Sequence, residues 1–399
     1  MTPERAVIVG ASHAGAQLAA NLRREGWSGE VVLIGDEGGL PYHRPPLSKG
    51  YLAGKNGLDD LLIRGADFYE KQHIRLLNAT VEAIHRSAKR VSLSTGDTLT
   101  YTKLALCTGA RARRLPTPGV DLPGIHYLRT AADVELIRAA ATPGRRVVIV
   151  GGGYIGLETA ASLCSLGMNV TVLEATERVL ERVTAPEVSA FYTRIHNGEG
   201  VEIRTHALVE AFFGNGGVQE VVLADGEPIP ADLVIVGVGV VPNTELASAA
   251  GLSVDNGIVI DDQARTSDPD IGAAGDCPSH TMARYGSRIR LESVSSAGEQ
   301  AKIAAATICG KHSAIAALPW FWSDQYDLKL QIAGLNAGYD EVLLSGDPSR
   351  ERDFSCFYFR EGELIAADCV NRPRDFMSSK RAISQQLRVD RSELLAGSI

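Results

Sequence analysis

The feature that most constrains this chain occurs twice. "RAVIV" (5–9) is a short apolar run of β-branched type that meets the glycine-bearing turn "GASHAG" (10–15). Residues 14–24 follow with Leu18 and Leu22 four apart on one helical face, and "VVLI" (31–34) returns as a strand closed by "GDE" (35–37). The same grammar recurs as "RVVIV" (146–150), "GGGYIG" (151–156), a helix with Leu157, Ala161 and Cys164 at helical spacing, and "NVTVL" (169–173) closed by Glu174. Each unit is strand, turn, helix and strand within roughly 30 residues, the length a parallel crossover needs. A pattern repeated from Gly10 to Gly151 is an internal duplication, and it places the chain in the α/β class with two Rossmann-like dinucleotide-binding domains.

In the spacing Gly-x-Gly-x-x-Gly the first glycine permits the tight turn and the second lets backbone approach a pyrophosphate. The third lets helix and strand pack closely. The helix N-terminus then offers its unpaired N–H groups to the phosphates. The second turn is complete, with Gly151, Gly153 and Gly156 around Tyr154 and Ile155. Glu174, 18 residues after Gly156, is placed to accept from adenosine ribose hydroxyls and to repel a 2′-phosphate, which favours NADH over NADPH. Arg178, one turn on, argues the other way. The first turn keeps Gly10 and Gly15 but has Ser12 in the middle. Serine hinders close approach only if that position needs φ > 0; at negative φ its hydroxyl is itself a phosphate donor. Asp36 is the expected ribose acid, with Glu37 competing. Two dinucleotide sites in one chain suggest two dinucleotides that react together, and FAD plus NADH is the economical pairing.

With 399 residues, two or three domains are expected. The net charge of −8 argues against nucleic-acid binding, because phosphates need a basic face. No stretch approaches the ~20 apolar residues that span a bilayer. The start, MTPERAVIVG, lacks a signal-peptide pattern, so a cytoplasmic chain off the membrane is expected. Cys107, Cys164, Cys277, Cys309, Cys356 and Cys369 form no C-x-x-C pair and no metal-ligand spacing; they read as small buried hydrophobes. "DIGAAGDC" (270–277) reads as a strand ending on Asp276. From about Leu318 the texture changes: "DFSCFYF" and "GELIAADCV" read as paired strands around "REGE", and "FMSSKRAISQQL" (376–387) as a closing helix. That is a separate C-terminal α+β domain.

Several stretches together resemble the putidaredoxin reductase family: "GLPYHRPPLSKGYL" (39–52), "GGGYIGLE" (151–158), "RVLERVTAPEVSAFY" (178–192), "PNTELASAAGLSVDNGIVID" (242–261), "AAGDC" (273–277) and "PWFWSDQYDLKLQIAG" (319–334). The resemblance covers nearly the whole chain in order. It implies an FAD-dependent, NADH-oxidising reductase of a [2Fe–2S] ferredoxin that serves a cytochrome P450 or an aromatic-ring dioxygenase. It also implies a glutathione-reductase-like architecture, with an FAD domain at 1–108 and 245–318, an NADH domain at 109–244 and a C-terminal domain at 319–399. Carried over by position, the FAD contacts would be Ala14 beside the phosphates, Asp36 at the ribose, Lys49 near the isoalloxazine, Val81 near the adenine, Arg129, Asp276 at the ribityl chain and Val294 near the ring. Those for NADH would be the 151–156 turn, Glu158 and Glu174. The departure is Ser12, which bears on FAD affinity and not on the chemistry.

Lys49 follows two prolines in "RPPLSK", a stiff segment able to hold an ammonium still. A cation there would stabilise reduced, anionic flavin. Glu158 is expected in the first turn of its helix, where the dipole favours a carboxylate in any case; the functional reading is a Lys49–Glu158 pair that orients the nicotinamide amide. Asp276 competes with a plain helix N-cap role, and Trp320, Phe321 and Trp322 more often mean core. Disulfide reductases of this architecture place cysteines near residues 40–50, where this chain has "PYHRPPLSK". Electrons must then leave the flavin without a thiol relay. The expected partner is an acidic ferredoxin that docks transiently on a monomer, through a local basic patch drawn from Arg64, Lys302, Lys329, Arg374, Lys380 and Arg381. The rivals are the same reductase with a rubredoxin or quinone acceptor, and an FAD/NADH redox-sensing binding protein.

Overall fold

The computed structural model describes residues 4–396. Contacts divide the chain into two units. The first comprises residues 1–43, 59–111 and 241–319; the second comprises 44–58, 112–240 and 320–399. The segment carrying Lys49, the residue Arg129 and the C-terminal stretch thus all belong to the second unit.

The first unit is built on a five-stranded sheet in the order Ile271–Ala273, Lys103–Leu106, Arg5–Val9, Glu30–Gly35, Ile74–Asn78. All four pairings are parallel. The inner strands are short and apolar beyond their first residue because both faces are covered, whereas the edge strand Ile74–Asn78 is mostly exposed. Val7, Ile8, Val32 and Leu33 are wholly buried, each stabilising the fold by ~1.5–3 kcal/mol relative to exposure. The helices His13–Glu25 and Val294–Ile308 pack against each other. The first stops at Gly26, whose φ of +98° supplies the left-handed cap.

The second unit repeats the plan. Its parallel sheet runs Glu202–Arg204, Asn169–Leu173, Arg146–Val150, Leu233–Val236, Ile125–Tyr127. In each sheet the strand before the glycine turn is central, and the strand after the helix lies on one side of it. In each, the third strand is followed by a three-stranded antiparallel sheet, Val81–His85 with its neighbours in one case and Val209–Phe213 with its neighbours in the other. The outermost strands break the correspondence: Ile271–Ala273 comes late in the chain, whereas Ile125–Tyr127 precedes its own glycine turn.

The second unit also holds a five-stranded antiparallel sheet, in the order Trp320–Gln325, Leu328–Gly334, Glu363–Val370, Phe354–Arg360, Glu341–Ser345. The strands expected around "REGE" are there. The expected closing helix runs instead from Pro373 to Gln385. Proline starts it at a position that needs no N–H, Gln386 ends it at φ +52°, and a further short helix, Arg391–Ala396, follows. The strand expected to end on Asp276 stops at Ala273, because Gly275 turns the backbone to φ +101°. Among the described residues no helix is long and apolar enough to cross a membrane.

Candidate functional site

In the first unit the parallel strands deliver their carboxyl ends to one edge, where ligands of doubly wound sheets bind. The Gly10 N–H donates to the Ile34 carbonyl at 2.8 Å and the Cys107 N–H to the Val9 carbonyl at 2.7 Å, which brings the turn, the Asp36 corner and the end of strand Lys103–Leu106 side by side. Gly10 lies at φ +108°, and a Cβ there would come 2.0 Å from the Cys107 carbonyl oxygen. A Cβ on Gly15 would come 1.9 Å from the Gly10 oxygen. These two glycines are demanded by the protein itself. Ser12 has φ −119° and ψ −154°, extended backbone that any residue adopts. Ala14 is buried in the first turn of the helix. Asp36 is exposed just past strand Glu30–Gly35, whereas the Glu37 carboxylate accepts from the Tyr42 hydroxyl. Val81 is buried at the head of its strand, and Val294 opens the helix capped by Ser293. Asp276 is half-buried and is followed by strand Pro278–Met282, so it is not a helix N-cap.

The second turn repeats the pinch. Gly151 lies at φ +112° with its virtual Cβ 2.4 Å from the Gly237 oxygen, and a Cβ on Gly156 would sit 2.0 Å from the Gly151 oxygen. A Cβ on Gly153, at φ −79°, would meet nothing within 4 Å. The Glu174 carboxylate is engaged at both oxygens: Oε2 accepts from the Gly152 N–H at 2.8 Å, and Oε1 from the Thr176 N–H and hydroxyl at 2.9 Å each. Arg178 turns inward, donating to Ser189 Oγ at 2.5 Å and the Glu181 carbonyl at 3.0 Å. Ile155 is exposed, and Tyr154 is packed on Phe321 with ring centroids 4.9 Å apart. Burial, then the nearby Asp368, pushes the Tyr154 hydroxyl well above its ordinary pKa.

Lys49 and Glu158 meet in the second unit. Lys49 closes the 3₁₀ turn Pro45–Ser48, and its Nζ lies 2.9 Å from Glu158 Oε2 and donates to the Pro45 carbonyl at 3.1 Å. Ser162 Oγ, on the same helix as Glu158, donates to the Ser48 carbonyl at 2.7 Å and anchors the segment. Glu158 lies in the second turn of helix Tyr154–Ser165, not the first, so its partners and not the helix dipole account for it. Ser48 Oγ donates to Oε2 at 2.5 Å and Ser323 Oγ to Oε1 at 2.6 Å. The Glu158 side chain is 1% exposed and that of Lys49 17%. Removing one partner of such a pair leaves a buried charge uncompensated, typically at ~3–5 kcal/mol. The two serines are the site residues that sequence reasoning missed. Ser48 stood beside Lys49 in "RPPLSK", but a lone serine carries no pattern of its own.

All six cysteines are free. Four are buried as expected, but Cys164 and Cys309 are only half-buried. Burial drives the Cys107 thiol well above its ordinary pKa, which keeps it protonated and inert. Among the described residues no cluster of His, Cys, Asp or Glu could hold a metal ion. Of the basic residues noted, Lys302, Lys329, Arg374 and Arg381 are exposed. Arg64 donates to Gln17, and the Lys380 ammonium sits 4.7 Å from the Trp320 ring centroid. Trp320, Phe321 and Trp322 are partly exposed on their strand and are not core.

Residues 4–301 match the family described as Pyridine nucleotide-disulphide oxidoreductase, and residues 320–398 match Reductase C-terminal. Putidaredoxin reductase CamA of Pseudomonas putida is 47% identical over 97% of this chain and 93% of its own length. The chain belongs to the putidaredoxin reductase family. Another member, a ferredoxin–NAD(P)(+) reductase of Sphingomonas sp, is 45% identical over 96% of this chain and 94% of its own. The solved structure of a covalent putidaredoxin reductase–putidaredoxin complex matches at a TM-score of 0.95 with 45% identity, covering 99% of both chains. Although the wider family is named for disulphide chemistry, this chain carries no cysteine between residues 40 and 50.

Proposed function

We propose that this chain is an NADH-dependent flavoprotein reductase that passes electrons through FAD to a [2Fe–2S] ferredoxin serving a cytochrome P450 or a ring-hydroxylating dioxygenase. One observation carries the reading: two dinucleotide turns, the second complete and the first with Ser12 for its middle glycine, share a chain that has no cysteine between residues 40 and 50. The residues present fit both nucleotides. Each turn is pinched by two obligatory glycines, and the space above Gly153 is open to a pyrophosphate. Neither N-cap residue, Ser12 or Gly153, makes a side-chain cap hydrogen bond, and a helix N-terminus favours a phosphate.

When bound, NADH supplies a hydride to the flavin, which releases the electrons singly to the ferredoxin. In the first turn Gly10, Ser12, Ala14 and Gly15 hold the FAD phosphates and Asp36 the ribose. Val81, Arg129, Asp276 and Val294 bind the remainder. In the second turn Gly151, Gly153, Tyr154, Ile155 and Gly156 hold the NADH phosphates. Glu174 selects NADH: its carboxylate is fixed at the turn, and Arg178, which would favour a 2′-phosphate, is committed to Ser189 and Glu181. Lys49 is a fixed ammonium that orients the nicotinamide amide and favours reduced flavin, and Glu158 holds it in place. Neither is an acid–base catalyst.

The partner is an acidic ferredoxin that docks transiently on a cytoplasmic monomer. Because the chain is itself acidic, docking needs a local basic face, and association should weaken as salt rises. The reading is tested by adding NADH anaerobically to the flavin-loaded protein, then a [2Fe–2S] protein, a rubredoxin or a quinone. Bleaching of the flavin followed by rapid reduction of the [2Fe–2S] protein is expected. Failure to bleach would sink the reading, and turnover with a quinone alone would replace the acceptor.

A further inference from the structure

Glu158 is the end of a buried chain of hydrogen bonds whose direction is forced. An ionised carboxylate can only accept, so the Ser323 hydroxyl must donate to it. The Ser323 oxygen accepts from Gln325 Nε2 at 3.1 Å. The Gln325 Oε1 must therefore accept from His196 Nε2, 2.8 Å away, which puts the imidazole proton on Nε2. His196 Nδ1 is left to accept from the Tyr326 hydroxyl at 3.0 Å. Every donor in the chain points toward the carboxylate, and each bond polarises the next. Ser323, Gln325 and His196 are each at most 1% exposed, and burial lowers the His196 pKa to about 4, so the imidazole is neutral at ordinary pH. Ser323 and Gln325 are two apart on strand Trp320–Gln325 and so share a face. His196 comes from helix Pro186–Gly198.

We propose that Ser323, oriented by Gln325 and His196, is a positioning residue for reduction of the flavin by NADH. It locks the Glu158 carboxylate so that Lys49 is held in one place. The C-terminal segment thereby serves the nicotinamide half of the reaction. This rests on the roles given above to Lys49 and Glu158. Without the Ser323 hydroxyl, Oε1 loses its donor and the carboxylate can turn. The ammonium is then held at one position less of the time, which slows the step without weakening nucleotide binding.

The test follows flavin reduction by NADH in anaerobic stopped flow, with the flavin-loaded proteins Ser323→Ala, Ser323→Thr, Glu158→Gln and the double variant Ser323→Ala/Glu158→Gln. Ser323→Ala should lower the limiting rate about tenfold and leave the NADH concentration for half-maximal rate within about twofold. Ser323→Thr, which keeps the hydroxyl, should stay within about threefold of the wild type. The double variant should be no slower than Glu158→Gln. If Ser323→Ala fails to load flavin, Gln325→Met removes the supporting donor and is read in the same way. Full speed in Ser323→Ala, a loss that adds to that of Glu158→Gln, or a loss confined to NADH affinity would overturn the proposal. A wild-type protein that NADH does not bleach would overturn the functional reading itself.

Discussion

The two glycine turns differ in a way that separates what the protein needs from what its ligand needs. In both, the first glycine is held at positive φ against a carbonyl, and the last abuts the oxygen of the first. The middle positions are unlike in residue yet alike in backbone: Ser12 and Gly153 both have negative φ. No part of the fold demands glycine at the middle. The turns also differ in what ties them. The second is fastened by side chains, with Glu174 holding the Gly152 N–H and the Glu158 chain running along the same unit. The first has its corner acid, Asp36, out in solvent.

The largest effects should come from the shared pinch. Gly15→Ala and Gly156→Ala each force a Cβ to about 2 Å from a backbone oxygen. Each should lose roughly 3 kcal/mol in urea unfolding, at the upper end of overpacking costs. Gly153→Ala should lose no more than about 1 kcal/mol, the cost of alanine at a helix N-cap, while still weakening NADH. If Gly153→Ala proved as damaging as Gly156→Ala, the division between protein-required and ligand-required glycines would break.

The side-chain fastening of the second unit gives it a pH dependence of its own. Burial lowers His196 from 6.5 to about 4, so between those values the unfolded chain binds the proton and the folded one does not. The His196 contribution to stability should therefore be lost as pH drops from about 6.5 toward 4, by up to roughly 3 kcal/mol, while Asp368, raised by burial from 3.8 to about 7, acts in the opposite direction over that range. His196→Gln should remove that loss from the profile in the unfolding of the second unit. A profile unchanged by the substitution would remove His196 as the cause.

A smaller contrast is expected between the two acids. Glu174→Ala should destabilise by about 1–2 kcal/mol, because the Gly152 N–H loses its partner. Asp36→Ala should stay within about 0.5 kcal/mol, as an exposed residue does. The NADH preference over NADPH should shrink in Glu174→Ala. Equal destabilisation by both substitutions would show that the acids are fastened alike.

Much of this was legible in the sequence, and the reason is local. The duplicated strand–turn–helix–strand is written in contiguous residues, with periodicity and glycine spacing that act over short range, so the central strands and helices stand where the pattern put them. Glu158 was expected one turn too early, because the helix could not be given its first residue without its N-cap. The boundary at Asp276 was missed because a single positive φ at Gly275 ends the strand. The serines on Glu158 were invisible for a different reason. Ser323 lies 165 positions from its partner, and nothing in "FWSDQY" reveals what an inward-facing hydroxyl will meet. The same holds for Arg178, whose neighbours decide that it faces inward.

The smallest predicted effect is the one that most sharpens the comparison. Ser12 already occupies a conformation open to every residue, so Ser12→Gly relieves no strain and adds only unfolded-state entropy, worth about 0.5–1 kcal/mol against the folded protein. Any larger change in FAD binding must come from the hydroxyl. If backbone N–H groups and the helix N-terminus do most of the holding, FAD affinity should stay within about tenfold, or ~1.4 kcal/mol. The reciprocal change, Gly153→Ser, grafts the first turn's chemistry onto the second and should be as well tolerated by the fold, since a Cβ there meets open space. A loss well beyond tenfold in Ser12→Gly would make the hydroxyl a required phosphate ligand. The middle residue would then be where each turn is fitted to its own nucleotide, and the two would cease to be versions of one solution.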